Sequence, residues 1–265
     1  MANIGLVSSI TRTGAYEPFE LQVSRGQITF HEAICIFGIN AAATTSNETV
    51  WVGSSLYTFP ASATTTTVSS TNNNDAFPSG TGAQTVFVEG LDANYNRVSE
   101  IVRLNGQTEV TATNQYLRVN RITVLTAGSN KTSAGAIYVG TGTVTSGVPA
   151  NVINVTGTNS NESESGFYSV PAGYTAYVTR WTVSSSNATA NSFSQFTFRV
   201  RPFGGVFNTK SIYNIPANGI HECDSEYPVE IPEKSDIEIL GLTSVDPAFL
   251  STQLQFVLIQ NNYQI

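Results

Sequence analysis

The sequence predicts an all-β protein, and three observations carry that prediction. Apolar side chains recur with period 2 in short segments, as in residues 85–91, where Val86 and Val88 point one way and Phe87 the other. Breaks rich in Asn, Asp and Gly separate these segments, and those residues suit turns. No apolar stretch with a period of 3.6 survives beyond about ten residues, because Gly, Thr and Asn fall wherever a helix would start.

Composition narrows the class further. A chain of 265 residues holds one large or two ordinary domains, each able to bury a core. Only 12% of residues are charged, against about 25% in ordinary soluble domains, so Ser, Thr, Asn and Gln must solvate the sheet faces. With hydrophobic residues at 40%, the chain is not of a disordered type. The net charge of −7 argues against a nucleic-acid partner, since neutralising phosphates takes a basic face. Arg97, Arg103, Arg118 and Arg121 do gather in one region, and ion pairs within the molecule are their expected role. No run of 18 apolar residues exists, and the first residues lack the basic start and apolar core of a signal peptide, so neither a membrane helix nor a leader is expected. Five Asn-x-Ser/Thr sequons are about what this composition yields by chance. Cys35 and Cys223 are too few for a disulfide framework.

Taken in order, residues 1–46 read as an extended arm with short strand-like pieces at 19–25 and 33–39, packing on its own domain or on a neighbour; an ordinary first pair of strands is the plainer alternative. Residues 47–160 read as a first β-sandwich. It begins with strands at 49–52, 55–59 and 63–70 and a polar loop at 71–82. The stretch 84–125 then forms a three-stranded meander turning at Asp-Ala-Asn-Tyr-Asn and at Leu-Asn-Gly-Gln. Within 115–125 the apolar phase slips from Leu117 and Val119 to Ile122 and Val124, which predicts a bulge or bend near Asn120 and Arg121. A glycine-rich strand follows at 134–144. Residues 157–166 hold no apolar side chain and read as a linker. The second sandwich, within 161–265, has strands at 174–183, 193–201, 206–213, 235–242 and 252–259. In one of them Phe196, Phe198 and Val200 share a face opposite Arg199 and Arg201, and the last strand is apolar on both faces near its end, which predicts a central position. Aromatic-x-x-Pro-Ala opens a strand in both halves, at 57–61 and 168–172, and the matching order of segments predicts a duplication.

No constellation of catalytic residues emerges. The two histidines, His31 and His221, come without a nucleophile elbow. His31 with Cys35, and His221 with Cys223, lack the spacing of zinc knuckles and form a site only if the arm crosses to the second sandwich. Asp92, Asn94 and Asn96 imitate the start of a calcium loop, but Arg97 and Arg103 stand where Gly and Glu belong, so a hairpin turn is expected. The acidic run Glu222, Asp224, Glu226, Glu230, Glu233, Asp236 and Glu238 reads as solvated charge guarding a sheet edge rather than as paired glycosidase carboxylates. Trp51, Trp181, Tyr174 and Tyr177 read as core or interface anchors rather than as the floor of a sugar site. No catalytic, cofactor-binding or metal-ligating residue and no cofactor are therefore expected.

Seven stretches, in order, resemble a family of virion structural proteins of marine tailed phages, including cyanophages. They are VFVEGLDANYNRVSE (86–100), LNGQTEV (104–110), YLRVNRITVLTAGS (116–129), AGAIYVGTGTV (134–144), YSVPAGYTAYVT (168–179), RPFGGVF (201–207) and PEKSDIEI (232–239). The resemblance implies a non-enzymatic protein of the particle exterior: a capsid decoration or cement protein, or a tail, neck or fibre component. It implies the major capsid protein or tail and neck proteins as partners, and a homo-oligomer, a trimer first of all. The expectation is two tandem antiparallel β-sandwiches, jelly-roll-like or Ig-like, with an N-terminal arm as the anchor. The alternative is a receptor- or glycan-binding module of a tail fibre that uses the loops at 71–82 and 184–192.

Overall fold

The computed structural model describes residues 17–261. Its first element corrects the strand expected at 19–25: α1 (Phe19–Ser24) is a six-residue helix entered from Pro18 and stopped at Gly26, which takes φ 66°. Gln22 and Val23 turn inward from it, a burial that period-2 reading does not foresee. Among the described residues this is the only helix, and all else regular is strand.

Sixteen strands follow: β1 (His31–Ala43), β2 (Glu48–Thr49), β3 (Thr64–Ser70), β4 (Ala83–Leu91), β5 (Arg97–Arg103), β6 (Val110–Tyr116), β7 (Arg118–Ala127), β8 (Ile137–Thr145), β9 (Val148–Val155), β10 (Phe167–Ser169), β11 (Tyr174–Ser186), β12 (Phe193–Arg201), β13 (Asn208–Pro216), β14 (Ile220–Ile231), β15 (Asp236–Thr243) and β16 (Ala248–Gln260). They form four antiparallel sheets, ordered β6-β3-β8-β9, β5-β4-β7, β1-β16-β11-β14 and β10-β15-β12-β13, with β2 added to β15. The first two sheets share one core, built on Val68, Val86, Tyr116, Ile122 and Ile137. The other two share a larger core around Trp181, Phe196, Phe198, Ile237, Leu254 and Phe256.

The pairing scheme repeats. In the first unit β3 pairs with β6 and β8, and β4 with β5 and β7. In the second unit β11 pairs with β14 and β16, and β12 with β13 and β15. The run β3–β8 is thus matched strand for strand by β11–β16, as a duplication requires. The outermost place beside β8 is filled by β9, the next strand in sequence. The equivalent place beside β16 is filled by β1, from the other end of the chain.

That exchange departs from a strictly tandem arrangement. Residues 31–43, expected within an arm, are a regular edge strand, paired from His31↔Ile259 to Asn40↔Leu250 before an irregular step to Ala43. The chain starts the second unit with β1 and β2, leaves to build the first unit, and returns at β10. The close approach that allows this is made at Gly38, where a Cβ would collide with the Val50 carbonyl and the Gly166 amide. Expectations for residues 1–16 lie outside the described residues. The central position expected for the last strand holds, since β16 lies between β1 and β11.

The meander also needs correction. β4 and β5 form the expected hairpin, but after Leu-Asn-Gly-Gln the chain crosses to the other sheet, where β6 pairs with β3. At Leu117 it crosses back, and β7 takes the free side of β4. The predicted phase slip is a bulge at Asn120: Glu89 faces Arg121 and Gly90 faces Val119, leaving Asn120 unpaired. The loop expected at 71–82 is organised by a buried carboxylate, Asp75, which accepts from the amides of Ala83, Ala134 and Gly135 and from the Ser70 hydroxyl. The expected linker is pinned rather than free. The Ser163 amide donates to the Ile122 carbonyl, Val124 donates to Asn161, and Gly166 donates to Val50. Backbone and hydroxyl hydrogen bonds hold this stretch where apolar packing cannot.

Candidate functional site

The densest chemistry lies where the two units meet. On β15, Ile237 and Ile239 enter the core, so Asp236 and Glu238 must emerge on the opposite face. On β12, Arg199 and Arg201 emerge on that same face, directly across from them in register. Each carboxylate is claimed by its neighbour: Arg199 Nη2 lies 2.7 Å from Glu238, and Arg201 Nη2 lies 2.6 Å from Asp236.

The first unit supplies a third arginine. Arg118, at the start of β7, donates through Nε to Asp236 Oδ1 at 2.9 Å and through Nη2 to Oδ2 at 3.1 Å. Its remaining donors reach the Pro60 carbonyl at 2.6 Å, the Leu117 carbonyl at 2.9 Å and the Tyr95 hydroxyl at 3.3 Å. Asp236 also accepts from the Ser169 hydroxyl at 2.5 Å. The Arg118 and Asp236 side chains are only 5% and 3% exposed, so this is a buried bidentate pair joining the two units. Burial drives the Arg118 pKa down, but the hydrogen bonds and charge of Asp236 more than restore it, holding the guanidinium above its ordinary value. An aromatic cluster shields the network, with Tyr57 stacked on Phe167 at 3.9 Å and Trp51 edge-on to both.

Glu238 has a different balance. It accepts from the Thr49 hydroxyl at 2.5 Å and is fully buried, and burial raises its pKa despite Thr49 and Arg199. Its folded value thus lies above its unfolded one. Between the two, the folded state binds the extra proton, so the contribution of Glu238 is full below about 4.5 and is lost as pH rises through the folded value. Denaturant titrations across that window should show wild type losing stability relative to Glu238→Gln as pH increases. Parallel pH profiles would contradict the assignment.

A second stitch comes from the bulge. Released from the ladder, Asn120 turns its amide to β10, donating to the Ser169 carbonyl at 2.9 Å and accepting from the Ser169 amide at 3.0 Å. The side chain thereby imitates a neighbouring strand. Asn120→Ala leaves two backbone groups of a buried residue unpaired, at about 1–3 kcal/mol for each. The expected result is a lower denaturation midpoint with easier proteolysis between the units; an unchanged midpoint would show that the stitch contributes nothing.

The other residues singled out by sequence fall apart as a site. His31 and Cys35 lie on β1, whereas His221 and Cys223 lie on β14, at opposite edges of one four-stranded sheet. Among the described residues no three His, Cys, Asp or Glu side chains cluster as a metal site. Asp92 caps the β4–β5 turn, accepting from the Asn94 and Asn96 amides at 2.8 and 2.9 Å. Burial nudges its pKa up, and the Asn96 and Asn94 hydrogen bonds outweigh that and lower it. The acidic run divides. Glu222 and Asp224 pair with Arg180 at the β14 edge, as expected of guarding charge, but Asp236 and Glu238 are buried at the junction, which corrects the solvated reading for those two.

Of the arginine group, Arg97 meets Glu32 at 2.8 Å, Arg103 lies over the Phe77 ring, and Arg121 donates to the Cys35 carbonyl at 2.6 Å. Trp51 and Trp181 are each 4% exposed; Trp181 sits in the larger core, and Trp51 lines an open pocket with Tyr57, Pro60 and Ile153. The loop at 71–82 lies at the far end of the first unit, because the ends of β3, β4 and β7 nearest the second unit are at residues 64, 91 and 118. The loop expected at 184–192 is confined to 187–192, because β11 continues to Ser186, and it lies at the opposite end of the second unit, tied by Asn187 to Val245 and Asn218. The two loops do not form one surface. Sequence gave no sign that Arg118 meets Asp236, although both lie in strands it identified.

No protein-family model matches this sequence, and no curated protein does. Among solved structures, the Gx strain of infectious bursal disease virus is similar at 11% identity and a TM-score of 0.25, covering 88% of this chain and 73% of that one. The VP2 subviral particle of the same virus is similar at 9% identity and a TM-score of 0.24, covering 89% and 74%.

Proposed function

We propose that this chain is a non-enzymatic structural protein of a phage virion. Its place would be the particle exterior, as a decoration or cement protein of the capsid or as a tail, neck or fibre component. Each pair of sheets serves in this reading as a β-sandwich, and the major capsid protein or tail and neck proteins are the partners of a homotrimer. One observation carries the reading: the most elaborate polar chemistry in the described chain is spent on locking one unit to the other. Arg118, Asp236 and Glu238 are buried at the junction, and the partly exposed Arg199 and Arg201 are paired to those carboxylates, so these charges are committed to rigidity in this reading rather than to a substrate. A rigid two-unit block suits a load-bearing building piece, and the ordered resemblance to marine phage virion proteins supports the same reading.

The test is the copy number per purified particle, measured by quantitative mass spectrometry against the major capsid protein. A simple fraction of the capsid count is expected for a decoration protein. A few rings' worth would favour neck, tail or fibre and bring receptor binding forward. Absence from particles would overturn the virion reading.

A further inference from the structure

The second unit carries two exposed features of opposite character, one on β14 and one beside β15. β14 pairs with β11 as Asp224↔Arg180 and then as Val229↔Val178. Four residues, 225–228, therefore face the single Thr179, and the chain must bulge outward. Tyr227 at its crest is 83% exposed, flanked by exposed Glu226 and by Pro228, which has no amide to donate. A tyrosine held out by a kinked strand beside an acidic residue is an aromatic anchor that packs on no ring among the described residues.

Beside β15 an open groove of about 700 Å³ runs between Phe59, Tyr95, Arg201, Phe203 and Lys234. Phe203 is 67% exposed, and the Lys234 ammonium lies 5.5 Å from its ring. No carboxylate among the described residues forms an ion pair with Lys234. Asp236, the acid in the groove wall, is already held by Arg118 and Arg201. The groove is thus aromatic and cationic in a chain whose net charge is −7.

We infer that this groove receives the bulge of a second copy of the chain, with Tyr227 against Phe203 and Glu226 facing Lys234. The match is one of charge and of shape class: an acidic, aromatic, kinked segment and a basic, aromatic, open trough. The occupant must come from another molecule. Residues 229–231 of β14 are paired to β11, which holds Tyr227 roughly 10 Å up the strand from Ile231 and keeps it from folding back on its own groove. Because bulge and groove are different surfaces, the contact is heterologous, and it closes into a ring where the rotation between copies allows, with the number of copies read from the mass. It concerns copies of this chain only and does not rest on the virion reading.

The test is sedimentation of the full chain across a dilution series. Wild type is expected to form a closed oligomer. Tyr227→Ala and Lys234→Glu should each weaken it by at least about tenfold, as for anchor residues. The double variant Glu226→Lys/Lys234→Glu, which swaps the pair, should regain the wild-type mass. Circular dichroism and the denaturation midpoint should stay at wild-type values for Tyr227→Ala, so that loss of mass reports the contact and not the fold. A wild-type chain that stays monomeric at every concentration overturns the inference. So does an oligomer indifferent to Tyr227→Ala, or a double variant that fails to recover.

Discussion

Replacing Arg118 with methionine is expected to cost about 3–5 kcal/mol and to lower the denaturation midpoint accordingly. The magnitude follows from what stays behind. Methionine fills much of the stem but supplies none of the five donors, so the Asp236 carboxylate keeps Arg201 and Ser169 and loses its only partner from the first unit. The Pro60 carbonyl and the Tyr95 hydroxyl lose a donor as well. A surface ion pair would be worth a fraction of this; the difference is that both side chains here are almost wholly removed from water. The variant should also change the manner of unfolding. With the lock removed, the units should melt at separate denaturant concentrations, visible as non-coincident fluorescence and circular dichroism transitions. The double variant Arg118→Met with Asp236→Asn should recover part of the loss, because a buried negative charge is then no longer left to Arg201 and Ser169 alone. A single variant within about 0.5 kcal/mol of wild type would mean that the junction is held by its aromatic cluster alone.

The local character of the chain was legible because strands announce themselves locally. In β12, Phe196, Phe198 and Val200 alternate with Arg199 and Arg201, and every one of them lies on the face that alternation assigns. The slip from Val119 to Ile122 placed a bulge or bend near Asn120 and Arg121, and it lies at Asn120, since a period of 2 cannot absorb one extra residue silently. The duplication was visible as an order of segments and is carried in the structure by pairing rather than by identity. What stayed hidden was partnership at a distance. β1 lies more than 200 residues from β16 in sequence, and nothing in either strand names the other. Arg118 and Asp236 are 118 residues apart and each looks like an ordinary surface charge. β9 escaped notice because Pro149, Asn151 and Asn154 interrupt its apolar pattern, yet Asn154 is buried and donates to the Val119 carbonyl. Local sequence writes the strands; burial, which depends on the assembled sheets, decides which polar residues become structural.

Deleting residues 1–46 is expected to unfold the second unit, and with it most of the cooperative stability of the chain. As a dispensable arm, this stretch would leave both units intact; as β1, it cannot. Its removal strips one whole edge from β16, the central strand of the sheet, and takes Ile36 and Ala43 out of the larger core. Each large side chain lost from a core costs about 1.5–3 kcal/mol, and each ladder hydrogen bond contributes roughly 1 kcal/mol. Summed along the register from His31 to Asn40, these rival the 5–15 kcal/mol that holds an ordinary domain together. Near-ultraviolet circular dichroism should collapse while part of the strand signal persists, because the first unit has its own core and its own fourth strand in β9. A peptide spanning residues 31–46, added in trans, should restore the second unit by refilling the place beside β16 that β1 occupies. A folded, protease-resistant truncation would sink the assignment of β1 as an integral strand. The expected outcome also changes how a particle-binding experiment is read. Loss of incorporation on this deletion would follow from a lost fold, so docking must be mapped with substitutions at exposed positions that leave β1 in place.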